Sequence, residues 1–129
     1  GAAMDKKDIK IMIIDDSILA RKQLKDVLST MGFHNFFEAN NGEDAVSLYK
    51  EIQPDIAFLD IVMPKKDGIA VVKELHDFDK NAYIVMVSSV GTQKQLKSAI
   101  EAGAVEFVQK PFNEAQIQAI IHARIEGRD

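Results

Sequence analysis

The stretch "IMIIDDSILARK", residues 11–22, is an apolar run that stops abruptly at two adjacent aspartates. Four apolar residues in succession read as a buried strand. Two carboxylates side by side at its end repel one another and lose hydration when crowded, an arrangement that normally calls for a cation. Just beyond them, Ala20, Leu24, Val27, Leu28 and Met31 fall at i, i+4, i+7, i+8 and i+11, the spacing of one helical face. Gly32 follows as a C-terminal stop. A strand runs straight into a helix, with acidic residues at the junction.

The same alternation continues along the chain. β-Branched or aromatic runs at 9–14, 36–38, 56–59, 83–87 and 104–108 are each bounded by polar or Gly/Pro residues and give five expected strands. Helical spacing lies between them and after the last, where Asn113 stands as N-cap just beyond Pro111 and Gln116 occupies N3. Ile117, Ile120, Ile121 and Ile125 then share one face. Regular alternation predicts an α/β fold, a doubly wound five-stranded parallel sheet covered by helices on both faces. No internal repeat, linker or low-complexity segment interrupts it.

Composition narrows the function classes. At 129 residues the chain makes one domain with a single core. It has no cysteine, which excludes disulfides and thiolate metal sites and makes the cytoplasm the default compartment. A net charge of -4 with scattered basic residues gives no footprint for nucleic acid. The apolar runs are too short to cross a bilayer, and "GAAMDKKDIK" lacks the apolar centre of a signal peptide. Gly1 to Ala3 read as a cloning remnant before a native Met4, and the terminal "IEGR" reads equally as a protease site or a native helix end. His34, His76 and His122 lack ligand spacing and read as surface residues; the five methionines read as core fillers.

In a doubly wound sheet, ligands bind outside the carboxyl ends of the strands, where the winding reverses. The residues ending the strands are therefore the informative ones. Strand one ends in Asp15 and Asp16, strand three in Asp60, strand four in Ser88 and strand five in Lys110. Carboxylates at such an edge form the hard oxygen site that Mg²⁺ prefers, with coordination positions left for water and a phosphoryl oxygen. The cation and Lys110 would neutralise charge as an aspartate attacks phosphorus, and Ser88 would donate to a phosphoryl oxygen. The parts match phosphoryl transfer onto a carboxylate. Taken one at a time, Asp15 and Asp16 could be a strand end with a helix cap, Asp60 turn chemistry, Ser88 a cap and Lys110 a surface charge. Five such caps on one sheet edge make a poor joint explanation.

The motifs "IIDDS", "PDIAFLDIVMP", "DG", "VSS" and "AGAVEFVQKPF", in that order, resemble the receiver domain of bacterial two-component response regulators, especially the small stand-alone chemotaxis type. The resemblance places a receiver domain over 5–126 and implies a flavodoxin-like (βα)5 fold with strand order 2-1-3-4-5. It further implies that Asp60 is the phosphoacceptor, that Asp16 ligates Mg²⁺ directly and that Asp15 orients metal waters. The Val62 backbone carbonyl would complete the metal ligands together with Asp60. Ser88 and Lys110 match the switch hydroxyl and the phosphoryl-binding lysine, and Phe107 sits where the family carries a switch aromatic. The bond before Pro111 is expected in cis.

The implied function is a phosphorylatable signalling switch with only self-phosphorylation and self-dephosphorylation activity. A sensor histidine kinase would supply the phosphoryl group. The repacked surface would bind an output protein such as the flagellar motor switch, with a phosphatase as a further partner, no nucleic acid, no membrane insertion and a monomeric state. The alternative is a receiver belonging to a longer regulator such as a transcription factor, or a phosphorelay intermediate. A haloacid-dehalogenase-like phosphatase would want a second aspartate at 62, where Val62 stands; a pseudo-receiver would lack the switch chemistry. Ser88 stands where the family more often has Thr. Val62 and Val90 are both apolar beside the site, and slow self-dephosphorylation is expected from them.

Overall fold

Ile11–Ile14 (β1) is buried at all four positions because it pairs on both sides, with Phe36–Ala39 (β2) and with Ile56–Leu59 (β3). The computed structural model describes residues 5–89 and 91–126. Ile84–Ser88 (β4) extends the sheet beyond β3, and Glu106–Gln109 (β5) closes it, with every pairing parallel. The order is β2-β1-β3-β4-β5, as expected, so β2 and β5 are the edges. Winding reverses between β1 and β3, which opens a crevice at the carboxyl ends of those two strands.

Alternating side chains send the sheet into two cores. Ile11 and Ile13 join Leu24 and Leu28 of α1 (Ile18–Thr30) and Ile117, Ile120 and Ile121 of α5 (Glu114–Glu126) on one face. Met12 and Ile14 pack on the other face against α2 (Gly42–Ile52), α3 (Gly68–Phe78) and α4 (Gln93–Ala102). The expected periodicities of α1 and α5 are the buried ones. Asn113 and Gln116 form a reciprocal cap, each backbone N–H donating to the other's side chain at 2.9 Å. Gly32 has φ +97°, the left-handed geometry that a helix stop requires.

Some boundaries differ from expectation. β5 begins at Glu106 and not at 104, because the Ala104 N–H still closes α4 by donating to the Ala99 carbonyl at 3.0 Å. β1 starts at Ile11 and β4 at Ile84, and β4 runs through Ser88. His76 is not a surface residue. It is half-buried on α3, so close to Gly103 that a Cβ there would lie 2.5 Å from its ring. His34 and His122 are exposed as expected. No helix among the described residues is long and apolar enough to cross a membrane. Residues 1–3, expected to be a cloning remnant, Val90 and the end of "IEGR" lie outside the described residues.

Candidate functional site

The parallel ladder delivers the acidic residues to one place. The Asp60 N–H donates to the Ile14 carbonyl at 2.9 Å, so the first residue beyond β3 lies beside the first residue beyond β1. Carboxylate oxygens of Asp15, Asp16 and Asp60 lie within 4.8 Å of one another. Asp15 and Asp60 are buried, at 6% and 8% exposure, whereas Asp16 faces solvent. On the other side of the crevice, the Lys110 N–H donates to the Ser88 carbonyl at 2.8 Å, which fixes the start of the Lys110 side chain. Its ammonium reaches back across the sheet to Asp15 Oδ2 at 2.7 Å and Asp60 Oδ2 at 3.5 Å. The Lys110–Pro111 peptide is cis, as expected.

Lys110 therefore stands between two carboxylates. Burial opposes its charge, but the Asp15 hydrogen bond and the Asp60 and Asp15 charges outweigh that and hold its pKa above the ordinary lysine value. It is a cation throughout the neutral range. Asp15 is held at every polar atom. Its N–H donates to the Ala39 carbonyl at 3.1 Å, and its carbonyl accepts from Arg21 at 2.6 Å. Its carboxylate accepts from the Ser17 N–H at 2.9 Å and from Lys110. Asp60 is held more loosely, by the Val62 N–H at 3.3 Å and Lys110 at 3.5 Å. The Asp16 carboxylate takes no hydrogen bond or ion pair from the described residues. Ser88 is fully buried, and Phe107 is half-buried against the core of α2, α3 and α4, opposite Met86 in the strand register.

The donor set is all oxygen, with two buried carboxylates and one exposed and unengaged. That composition fits a small hard cation that retains part of its water shell. The capping alternative belongs to a different residue: Ser17 is the N-cap of α1, accepting from the Ala20 N–H at 3.1 Å, and Asp15 and Asp16 are left for the site.

Two features of the site were not found from sequence. Gly68 admits the first turn of α3 onto the site backbone, since a Cβ there would fall 2.3 Å from the Asp60 carbonyl oxygen and 2.6 Å from Ile61 Cα. Asp67 caps that helix, accepting from the N–H groups of Ile69 and Ala70 at 3.0 and 3.1 Å. The "DG" pair is thus a cap followed by a close approach. The second feature is Arg21, and the signal was its place in the sequence. A cation in the first turn of a helix opposes the macrodipole, so an attraction elsewhere must hold it.

A model of the response regulator receiver domain matches residues 11–122. The chain belongs to the response regulator receiver family. This receiver is 42% identical over 113 residues to the chemotaxis protein CheY of Bacillus subtilis, covering 88% of the chain and 94% of the relative. It is 41% identical over 108 residues to that of Thermotoga maritima, with 84% and 90% covered. The CheY chain in the CheX–CheY–BeF3–Mg²⁺ complex from Borrelia burgdorferi superposes on the receiver with a TM-score of 0.86 at 35% identity, covering 91% of this chain and 89% of that one. The flavodoxin-like fold and the CheY-like character expected from the motifs both hold for this receiver.

Proposed function

We propose that this receiver is a cytoplasmic switch that takes a phosphoryl group on Asp60. The observation that carries this reading is the bridge of Lys110 between Asp15 and Asp60 beside a carboxylate cluster. Asp60 is the best placed of the three to act as nucleophile. Asp15 has both carboxylate oxygens engaged at 2.9 Å or less, Asp16 lies open to solvent as a metal ligand, and Asp60 has only the two long contacts to release. A carboxylate oxygen of Asp60 attacks phosphorus on a phosphohistidine of the sensor kinase. The P–N bond breaks as the P–O bond forms, and the imidazole leaves with the electron pair and is protonated by solvent. Mg²⁺ held by Asp16, Asp60 and the Val62 carbonyl, with Asp15 orienting its waters, would neutralise the charge of the transferred group.

Lys110 then exchanges part of its contact with Asp60 for a phosphoryl oxygen. Ser88, one strand nearer the edge, moves to donate to another. Phe107 lies on the same sheet face as Ser88, and space vacated by the serine admits the ring, repacking α4, β5 and α5. Output is binding through that surface, to a chemotaxis effector such as the flagellar motor switch. The complex of CheX with CheY from Borrelia burgdorferi supports a protein partner for this chain, and a phosphatase is a further partner under this reading.

The test is incubation with Mg²⁺ and a small acyl-phosphate donor, read by intact-protein mass. A labile gain of one phosphoryl group is expected, abolished by Asp60→Asn and by chelation. Undiminished labelling of Asp60→Asn would remove Asp60 from the reaction.

A further inference from the structure

Arg21 has a side chain only 13% exposed in the first turn of α1. Its Nη1 donates to the Asp15 carbonyl at 2.6 Å, and its Nε donates to Glu38 Oε1 at 3.0 Å. The carbonyl it grips belongs to the peptide that joins Asp15 to Asp16. Glu38 is anchored in turn on β2 and accepts from Lys25 at 2.9 Å. Burial works against ionisation of Glu38, but the hydrogen bonds and charges of Lys25 and Arg21 outweigh it, so its carboxyl titrates below the usual range. The chain Glu38, Arg21, Asp15 carbonyl runs from the edge strand, through α1, into the site.

We propose that Arg21, braced by Glu38, is a positioning residue that sets the Asp15–Asp16 peptide plane and so aims the Asp16 carboxylate at the metal position. Asp15 needs no such help, because its carboxylate is already fixed by Ser17 and Lys110. Asp16 has no side-chain partner, and only its backbone can direct it. One rotation of the preceding peptide would swing its carboxylate away from Asp60. A guanidinium suits the task because its planar donors hold a carbonyl and a carboxylate together in fixed relation. Its charge alone would repel a cation, so geometry and electrostatics predict opposite effects of removing it. This role rests on the carboxylates being a Mg²⁺ site.

The experiment is calorimetric titration of Mg²⁺ into the unphosphorylated protein and its variants, with thermal melts as the folding control. Loss of an outer partner of a metal ligand typically costs about 10–100-fold in affinity. Arg21→Ala should weaken Mg²⁺ binding by about tenfold, Arg21→Lys by less, and Glu38→Ala by a few-fold, since the guanidinium remains but loses its brace. Lys25→Ala removes the same charge without touching the Asp15 carbonyl and takes only one contact from Glu38, so it should weaken binding less than Glu38→Ala does. If Arg21→Ala does not fold, Arg21→Lys and Glu38→Ala decide. Equal or tighter binding in the Arg21 variants overturns the role, as does an equal loss in Lys25→Ala. Asp16→Ala separates the two levels: binding by the wild type that Asp16→Ala abolishes keeps the metal site whatever Arg21 does, and no binding by the wild type removes both.

Discussion

At the scale of single residues, the proposed switch is expected to stay on longer because of Val62. Val62 is 58% exposed next to Asp60, while its N–H is turned to the Asp60 carboxylate. Hydrolysis of an acyl phosphate needs a water aligned with phosphorus, opposite the Asp60 oxygen. An isopropyl group gives that water no hydrogen bond and adds bulk to its path. Val62→Asn should therefore speed self-dephosphorylation several-fold, short of the about 10²-fold that a full general base contributes. The metal position would be untouched, since the ligand proposed there is the Val62 backbone carbonyl. Decay of the phosphorylated protein at saturating Mg²⁺ is the measurement, and equal or slower decay in the Asn variant rejects the role.

At the scale of elements, α3 is placed by what Gly68 lacks. The helix starts against the Asp60 carbonyl and the Ile61 backbone, neither of which can yield as the end of a flexible side chain could. Gly68→Ala forces helix and strand apart and should cost about 1–3 kcal/mol, the usual range for overfilling a packed site. Urea unfolding measures the loss, and Mg²⁺ affinity should fall with it because Asp60 is displaced; an unchanged midpoint would mean that α3 can shift freely. The elements themselves were legible in the sequence. Central strands such as Ile11–Ile14 and Ile56–Leu59 are buried on both faces and so read as unbroken apolar runs, and strand ends exposed Asp60 and Lys110 as exceptions. Boundaries were less legible, as at Ala104, because a hydrogen bond back to α4 decides them. Gly68 and His76 act through close contacts with the Asp60–Ile61 backbone and with Gly103, which hydrophobic periodicity does not encode, whereas Arg21 left a signal in its first-turn position.

At the scale of the whole molecule, the site opposes stability for the sake of function. Three carboxylates within 4.8 Å repel one another, and Lys110 supplies one compensating charge. A cation that binds only the folded state should stabilise it by about 2.7 kcal/mol at a hundred times its Kd, a rise of roughly 10 °C in Tm for a domain this size. Without divalent metal, Asp60→Asn should melt higher than the wild type, and Mg²⁺ should narrow the gap. Differential scanning calorimetry with and without chelator reads both, and a variant that melts lower in chelator contradicts stored repulsion. Glu38 carries a further consequence at this scale. It sits within the edge strand β2, between Phe37 and Ala39, locked to two cations on α1. An open edge is a template on which a foreign strand can dock, and a charge in its middle must be stripped of water and partners before docking can proceed. The residue proposed to brace the carboxylate cluster from a distance thus also sets a charge beside Phe36 and Phe37 that opposes edge-to-edge pairing.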